Sequence, residues 1–238
     1  MARLSSFSRA GDLGLMSCAF IGGCRAIEIS GLADNRRMNT FLHVGCGHGK
    51  KTNTTRCFNG PEWQELRLDI DEAVHPDIVG TMTDMHGVRS ESVDAVFSSH
   101  NIEHLYPHEV PRALAEFLRV LKPAGFAVIT CPDLQSVAAL VAEDRLTDEA
   151  YASAAGPITP LDILYGHRRA MAAGNLFMAH HCGFTKKVLD ATLLSCGFGS
   201  VASCRRGAPA FDLWALASKN LMAEATVREL AGAHFPAC

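Results

Sequence analysis

Apolar residues between positions 40 and 133 fall in short blocks separated by turn formers, and the blocks alternate between strand-like and helix-like spacing. Thr40 to Val44 (TFLHV) is a brief apolar run that stops at glycines, which suits a buried parallel strand. Glu65 to Ile70 (ELRLDI) predicts a second strand ending in carboxylates, Asp77 to Gly80 a short third, and Ser92 to Ser99 (SVDAVFSS) a fourth. Val110 to Leu121 places Val110, Leu114, Phe117, Leu118 and Leu121 at helical spacing. Pro111 suits its first turn, and Lys122-Pro123-Ala124-Gly125 ends it. Phe126 to Cys131 (FAVITC) predicts a fifth strand. Strands separated by helical or loop segments are the pattern of right-handed βαβ units and a parallel sheet.

After Leu134 the rhythm changes. Ser136 to Arg145 predicts a helix, and Thr147 to Gly183 is rich in Ala, Gly and Pro with no strand pattern. Lys186 to Cys196 is an amphipathic helix with Val188, Leu189, Leu193 and Leu194 on its apolar side. Val201 to Cys204 and Leu213 to Ala217 predict two last strands. The implied organisation is a domain over 38–218 with a cap insertion at about 147–183, followed by a tail or helix at 219–238. Residues 1–37 carry one weak apolar stretch, Leu13 to Gly23. Three readings stand for them: a disordered arm or false start ahead of Met38, a lid, or a signal peptide. Asp12 and the lack of a clean cleavage site disfavour the last.

Composition narrows the class. Hydrophobic residues make up 48% of the 238, enough for a full core, while charged residues are 20% and the net charge is −3. That balance lacks the basic footprint of a general nucleic-acid binder, and no apolar run is long enough to span a membrane. The nine cysteines are odd in number, form no C-x-x-C pair, and lie partly in apolar runs, as Cys131 does. Buried thiols in a cytoplasmic, reducing setting explain this better than a disulfide framework.

The chemistry should sit where the first strand ends. Gly45-Cys46-Gly47-His48-Gly49 is a glycine-rich turn, which lets backbone N–H groups approach a ligand that any side chain would block. Asp69 lies 24 positions after Gly45, close to the ~20 expected of a carboxylate that reaches ribose hydroxyls. In a strand–turn–helix context, these features point to a cofactor containing adenosine.

HVGCGHG resembles motif I of class I S-adenosylmethionine-dependent methyltransferases. VDAVFSSHNIEHL and EFLRVLKPAGFAVITCPD resemble their fourth-strand segment and the helix and fifth strand that follow. The whole is similar to the type 11-like bacterial methyltransferases over about Phe41 to Asp133. Gly197, Phe198 and Val201 followed by FDLWALASK are similar to the sixth strand and reversed seventh strand of that fold. The resemblance implies a Rossmann-like α/β fold: seven mostly parallel strands, the last reversed, with helices on both faces. It implies S-adenosylmethionine as cofactor, with Gly45, Cys46, Gly47 and Gly49 along its methionine and sugar. Asp69, with Ile70 beside it, would bind the ribose. Asp84 and Met85 would sit against the adenine, with Met82 or Thr83 as alternatives because the loop to Asp94 is short. Ser99 and His100 would face the methionine end.

The acceptor should meet the cap. Gly156 to Gly183 holds Asp162, Tyr165, His167, Arg168, His180 and His181 over the carboxyl edge of the sheet. Tyr165, Arg168 and His180 are the expected acceptor contacts, and His100, His104 and His167 the candidate bases. His100, His104 and His108 recur every four residues, but Pro107 interrupts the helix and no further ligand completes a metal set. The partner is then a small-molecule acceptor, a metabolite or saccharide. A homodimer is left open, and no metal is expected. The residues leave two rival functions: a non-catalytic binding subunit of the same fold, and a nicotinamide-dependent oxidoreductase. G-C-G-H-G in place of G-x-G-x-x-G disfavours the second.

Overall fold

The computed structural model describes residues 38–153 and 155–237. The three readings of residues 1–37 fall outside them. Seven strands form the sheet: β1 (Asn39–Val44), β2 (Trp63–Asp69), β3 (Ile78–Val79), β4 (Val93–Ser99), β5 (Leu121–Pro132), β8 (Ser200–Arg206) and β9 (Asp212–Ser218). Their order is β3-β2-β1-β4-β5-β9-β8. The pairs from β3 to β5 are parallel, and β9 runs antiparallel to both its neighbours. The reversed last strand is as the sequence led us to expect.

Alternate residues of β1 feed opposite faces, the period of a strand. Leu42 and Val44 join a core with Leu114, Phe117, Leu189 and Leu193 from helices α1 (Val110–Val120) and α5 (Lys186–Ser195). Phe41 joins an aromatic core on the other face with Phe58, Trp63, Phe97 and Phe126, closed by Val227 and Ala231 of α6 (Glu224–His234). Phe58 stacks on Phe41 at 4.4 Å and meets Trp63 edge-on at 4.9 Å. At ~1.5–3 kcal/mol per buried side chain, these three rings are worth roughly 5–9 kcal/mol.

Phe58 belongs to the segment where the sequence reading placed a first helix. That helix is absent: only a single 3-10 turn, Lys51–Asn53, follows the glycines. The chemistry of the segment explains it. Thr52, Asn53, Thr54 and Thr55 are poor helix formers, and Asn59-Gly60-Pro61 would stop any helix that began. The loop packs one ring into the sheet in place of a helix face.

The segment over 147–183 also departs from expectation. It contains a hairpin, β6 (Tyr151–Ser153) with β7 (Gly156–Ile158), and two short helices, α3 (Pro160–Tyr165) and α4 (Arg168–Ala172). Before it, α2 (Leu134–Ala142) starts two residues earlier than the periodicity predicts, because Asp133 caps it by accepting from Gln135 and Ser136 amides. Val137 of α2, Ile158, Ile163 and Phe211 form a small separate core beneath this segment.

Among the described cysteines the buried-thiol reading has one exception. Cys204 is disulfide-bonded. Cys46, Cys131, Cys182 and Cys196 are thiols, and burial pushes Cys46 and Cys182 up to about 11, which keeps them protonated at neutral pH. Among the described residues no helix is long and apolar enough to cross a membrane.

Candidate active site

The glycine turn is held from three sides. Gly45 and Gly47 both adopt left-handed backbone, with φ of +61° and +50°. A Cβ at Gly45 would collide with the Asn101 amide, whose Nδ2 donates to the Val44 carbonyl at 2.9 Å and the Ser99 carbonyl at 3.0 Å. A Cβ at Gly47 would meet nothing within 4 Å, so this glycine borders open space. From below, the Gly47 amide donates to Oδ2 of Asp69 at 2.7 Å, and the Asp71 amide donates to Oδ1 at 2.9 Å.

The third support is Arg67 on β2, which sequence reasoning missed. Its guanidinium donates to the carbonyls of Gly47 (2.6 Å), Gly49 (3.2 Å) and His75 (2.8 Å). The guanidinium's five donors in a fixed plane suit carbonyls spread around it in this way. With no helix behind the turn, this buried arginine clamps it instead. The signal available in the sequence was weak: a lone cation inside an otherwise strand-like ELRLDI.

Other expected cofactor residues divide by where their side chains go. Asp69 is nearly buried at the tip of β2, and Ile70 is exposed beside it. The Cys46 side chain packs inward, so only its backbone faces the turn. Met85 is fully buried, with its amide held by Glu116 at 2.6 Å and its carbonyl by Arg119 at 2.8 Å. Its side chain therefore belongs to the core. Asp84 is exposed and pairs with His86. Ser99 shares a 2.8 Å hydrogen bond with Thr130 across β4 and β5.

The acceptor-side residues converge more closely. A cavity of about 290 Å³ lies beyond the carboxyl ends of β4 and β5, lined by His100, Glu103, His104, Tyr151, His167 and His180, among others. All three candidate bases reach it. So does His180, whereas His181 turns outward and stacks on Tyr106 at 4.2 Å. Tyr165 does not reach it: the side chain is 61% exposed, and Tyr151 from the unexpected hairpin supplies the phenol instead. Arg168 does not reach it either. It is paired with Asp162, Nε to Oδ1 at 2.7 Å, and lines a separate cleft. The every-fourth-residue histidine stripe does not form, because 102–104 is a single 3-10 turn and His108 is exposed against Tyr106.

Electrostatics single out one pair. Nδ1 of the half-exposed His100 lies 3.3 Å from Oε1 of the fully buried Glu103. Burial opposes the charged imidazolium, but the adjacent carboxylate outweighs it and raises the His100 pKa. Burial likewise opposes the Glu103 carboxylate, and His100 outweighs that, so its pKa is lowered. Glu103 was not among the expected site residues. Its place just past the fourth strand gave no hint that it would be buried.

Residues 42–129 match the family model described as a methyltransferase domain. No curated protein matches the chain. Among solved structures it is similar to the 1,6-didemethyltoxoflavin N1-methyltransferase of Burkholderia thailandensis, with 16% identity and a TM-score of 0.50 over 77% of this chain and 72% of that one. A methyltransferase from Methanosarcina mazei gives 16% and 0.50 over 78% and 95%. One from Archaeoglobus fulgidus gives 14% and 0.50 over 77% and 87%. At these identities the likeness is one of fold. The reversed-strand sheet and the matched segment together give the chain the fold and the methyltransferase domain of class I S-adenosylmethionine-dependent methyltransferases. The matched domain marks it as an enzyme, and S-adenosylmethionine is the cofactor that this fold class uses.

The cradle fits that cofactor. The space beside Gly47 is open, and Asp69 uses two of its roughly four acceptor positions on amides, leaving the others for a diol.

Proposed function

We propose that the chain methylates a small acceptor bound in the histidine-lined cavity, on an oxygen or nitrogen that gives up a proton. The observation that carries this reading is the loop Ser99-His100-Asn101. Asn101 holds the glycine turn on one side, while His100 lines the cavity on the other, so cofactor cradle and cavity share one wall. In this reading Gly45, Gly47, Gly49 and Asp69 hold the cofactor, and Ile70, Asp84, Ser99 and the backbone of Cys46 and Met85 border it.

The cofactor supplies a methyl group on a positively charged sulfur. The chain's own work is alignment and proton removal. Holding the acceptor in line, about 3–3.5 Å from the methyl carbon, is worth several kcal/mol. As the new bond to that carbon forms, the sulfur–methyl bond breaks, and the acceptor's proton passes to a base. His167 is the base we assign. It sits at the cavity wall, and among the described residues no hydrogen bond ties its ring. A cavity of about 290 Å³ walled in part by the β6–β7 hairpin and α3 suits a compact molecule better than a protein or nucleic-acid chain.

The test uses two readouts on the same proteins: calorimetric titration with S-adenosylmethionine, and release of S-adenosylhomocysteine across a panel of small hydroxylated and amino compounds. His167→Ala should leave cofactor affinity within about twofold and lower turnover by the 10²–10⁴ typical of a lost general base. Tyr165→Phe should change neither. Equal losses of binding and turnover in His167→Ala would place the cavity in the cofactor pocket and overturn the assignment.

A further inference from the structure

Glu103 is buried, and neither of its carboxylate oxygens accepts a hydrogen bond. An ionised carboxylate in that condition is costly unless something positive faces it. His100 offers one contact at 3.3 Å. Two further imidazoles stand on the cavity side. His104 donates Nδ1–H to the Ala179 carbonyl at 3.0 Å, and His180 donates Nδ1–H to the Ile163 carbonyl at 2.8 Å. Both rings are thereby fixed with Nε2 carrying a lone pair. Their centroids are 4.8 Å apart. One ligand atom each from Glu103, His104 and His180 lie within 4.8 Å of one another.

We propose that Glu103, His104 and His180 bind one divalent transition-metal ion at the floor of the cavity. Two imidazole nitrogens and one carboxylate are a ligand set such ions favour, and it leaves positions open. Ligating histidines in proteins donate their other ring N–H to a carbonyl or carboxylate, as both of these do. Metal–ligand bonds of ~2.0–2.2 Å put donor atoms roughly 3–4 Å apart, so small rotamer adjustments close the set. The backbone holds the two halves together: the amides of His181 and Cys182 donate to the Glu103 carbonyl at 2.8 and 3.2 Å. The open positions face the space where the acceptor is placed above, so the inference rests on that reading and narrows it to acceptors presenting an oxygen donor to the metal.

The experiment needs no acceptor. Tag-free protein, stripped with a chelator, is titrated with Co²⁺ and followed by calorimetry and visible absorption, then with Zn²⁺ in competition. One cobalt per chain is expected, with ligand-field bands that Zn²⁺ removes. Glu103→Gln and His180→Ala should each weaken binding more than about tenfold, since even outer partners of metal sites cost 10–100-fold. His108→Ala, at an exposed histidine outside the set, should not. Should Glu103→Gln fail to fold, His180→Ala decides alone, because its ring sits on a surface segment. Absence of stoichiometric cobalt binding, or binding indifferent to His180→Ala, overturns the site. S-adenosylmethionine titration of the same samples separates the two ideas. Cofactor binding without metal binding sinks the metal site alone, and metal binding without cofactor binding sinks the methyl-transfer reading.

Discussion

The amide of Gly47 donates to Oδ2 of Asp69 over 2.7 Å, so the turn after β1 and the carboxylate ending β2 are one hydrogen-bonded unit. Moving either moves the other. Asp71, two residues on, plays a different part: its side chain only caps the short turn 72–74 by accepting from Ala73.

Asp69→Ala should therefore cost S-adenosylmethionine affinity roughly 1–3 kcal/mol, the range for a buried donor left without its acceptor. Asp71→Ala should cost less than about 0.5 kcal/mol, as expected of a surface change away from a buried network. Calorimetric titration of both variants checks the ranking. The reverse order would mean that Asp71, not Asp69, meets the ribose.

Arg67 replaces a missing helix as the support of the turn. Arg67→Met keeps the volume but leaves the carbonyls of Gly47, Gly49 and His75 without their donor. Charged hydrogen bonds of this kind are worth ~1.5–3 kcal/mol each before relaxation, and the neighbouring carbonyls will relax. We expect a loss of about 2–4 kcal/mol in unfolding free energy and a drop in cofactor affinity of more than tenfold. Arg67→Lys should recover only part of each, because one ammonium cannot span three acceptors in a plane. Denaturant melts together with cofactor titration test this. Full rescue by lysine would show that charge, not the fork, is what the turn needs.

His234 makes stability depend on pH. Its ring is buried against Phe58 at 4.4 Å, Nδ1 shares a 2.9 Å hydrogen bond with Thr55, and Nε2 has no partner. Burial lowers its pKa to about 4. The unfolded chain binds the proton more readily, with a pKa near 6.5. The stabilisation is thus fully present above about pH 6.5 and is lost as pH falls toward 4, amounting to roughly 2 kcal/mol at pH 5 and about 3 below pH 4. His234→Phe, which keeps a ring in place, should reduce the stability difference between pH 7.5 and pH 5 by about that 2 kcal/mol. Urea midpoints at the two pH values measure it. An unchanged difference in the variant would show that the ring does not titrate through this window.

Much of the frame was legible in the residues alone. All seven sheet strands are present, six of them within about two residues of their predicted ends and β5 starting five residues early, because the central parallel strands are apolar runs that stop at turn formers and the last two alternate. The glycine turn and Asp69 were legible for a related reason: close backbone approach excludes side chains, and few residues can do the same work. His167 and His180 were visible in a polar set within a small-residue segment, His100 and His104 by their place just past the fourth strand, and all four line one cavity.

What the sequence could not decide was set by long-range packing. The segment after Gly49 has a context that invites a helix, yet Phe58 finds a slot between Phe41 and Trp63, and burying that ring outweighs a poor helix. Arg67 reads as one cation in a strand until the fold brings three carbonyls around it. Tyr165 and Tyr151 are equivalent by composition. The hairpin turns Tyr151 in and leaves Tyr165 out, and a three-residue strand is too short to announce itself by alternation. Glu103 and His180 are 77 positions apart, and nothing local links them. Only the tertiary fold buries that carboxylate and turns two imidazoles toward it. Local patterns record what one segment needs for itself. Burial, and the charge partners burial demands, depend on neighbours that arrive from elsewhere in the chain.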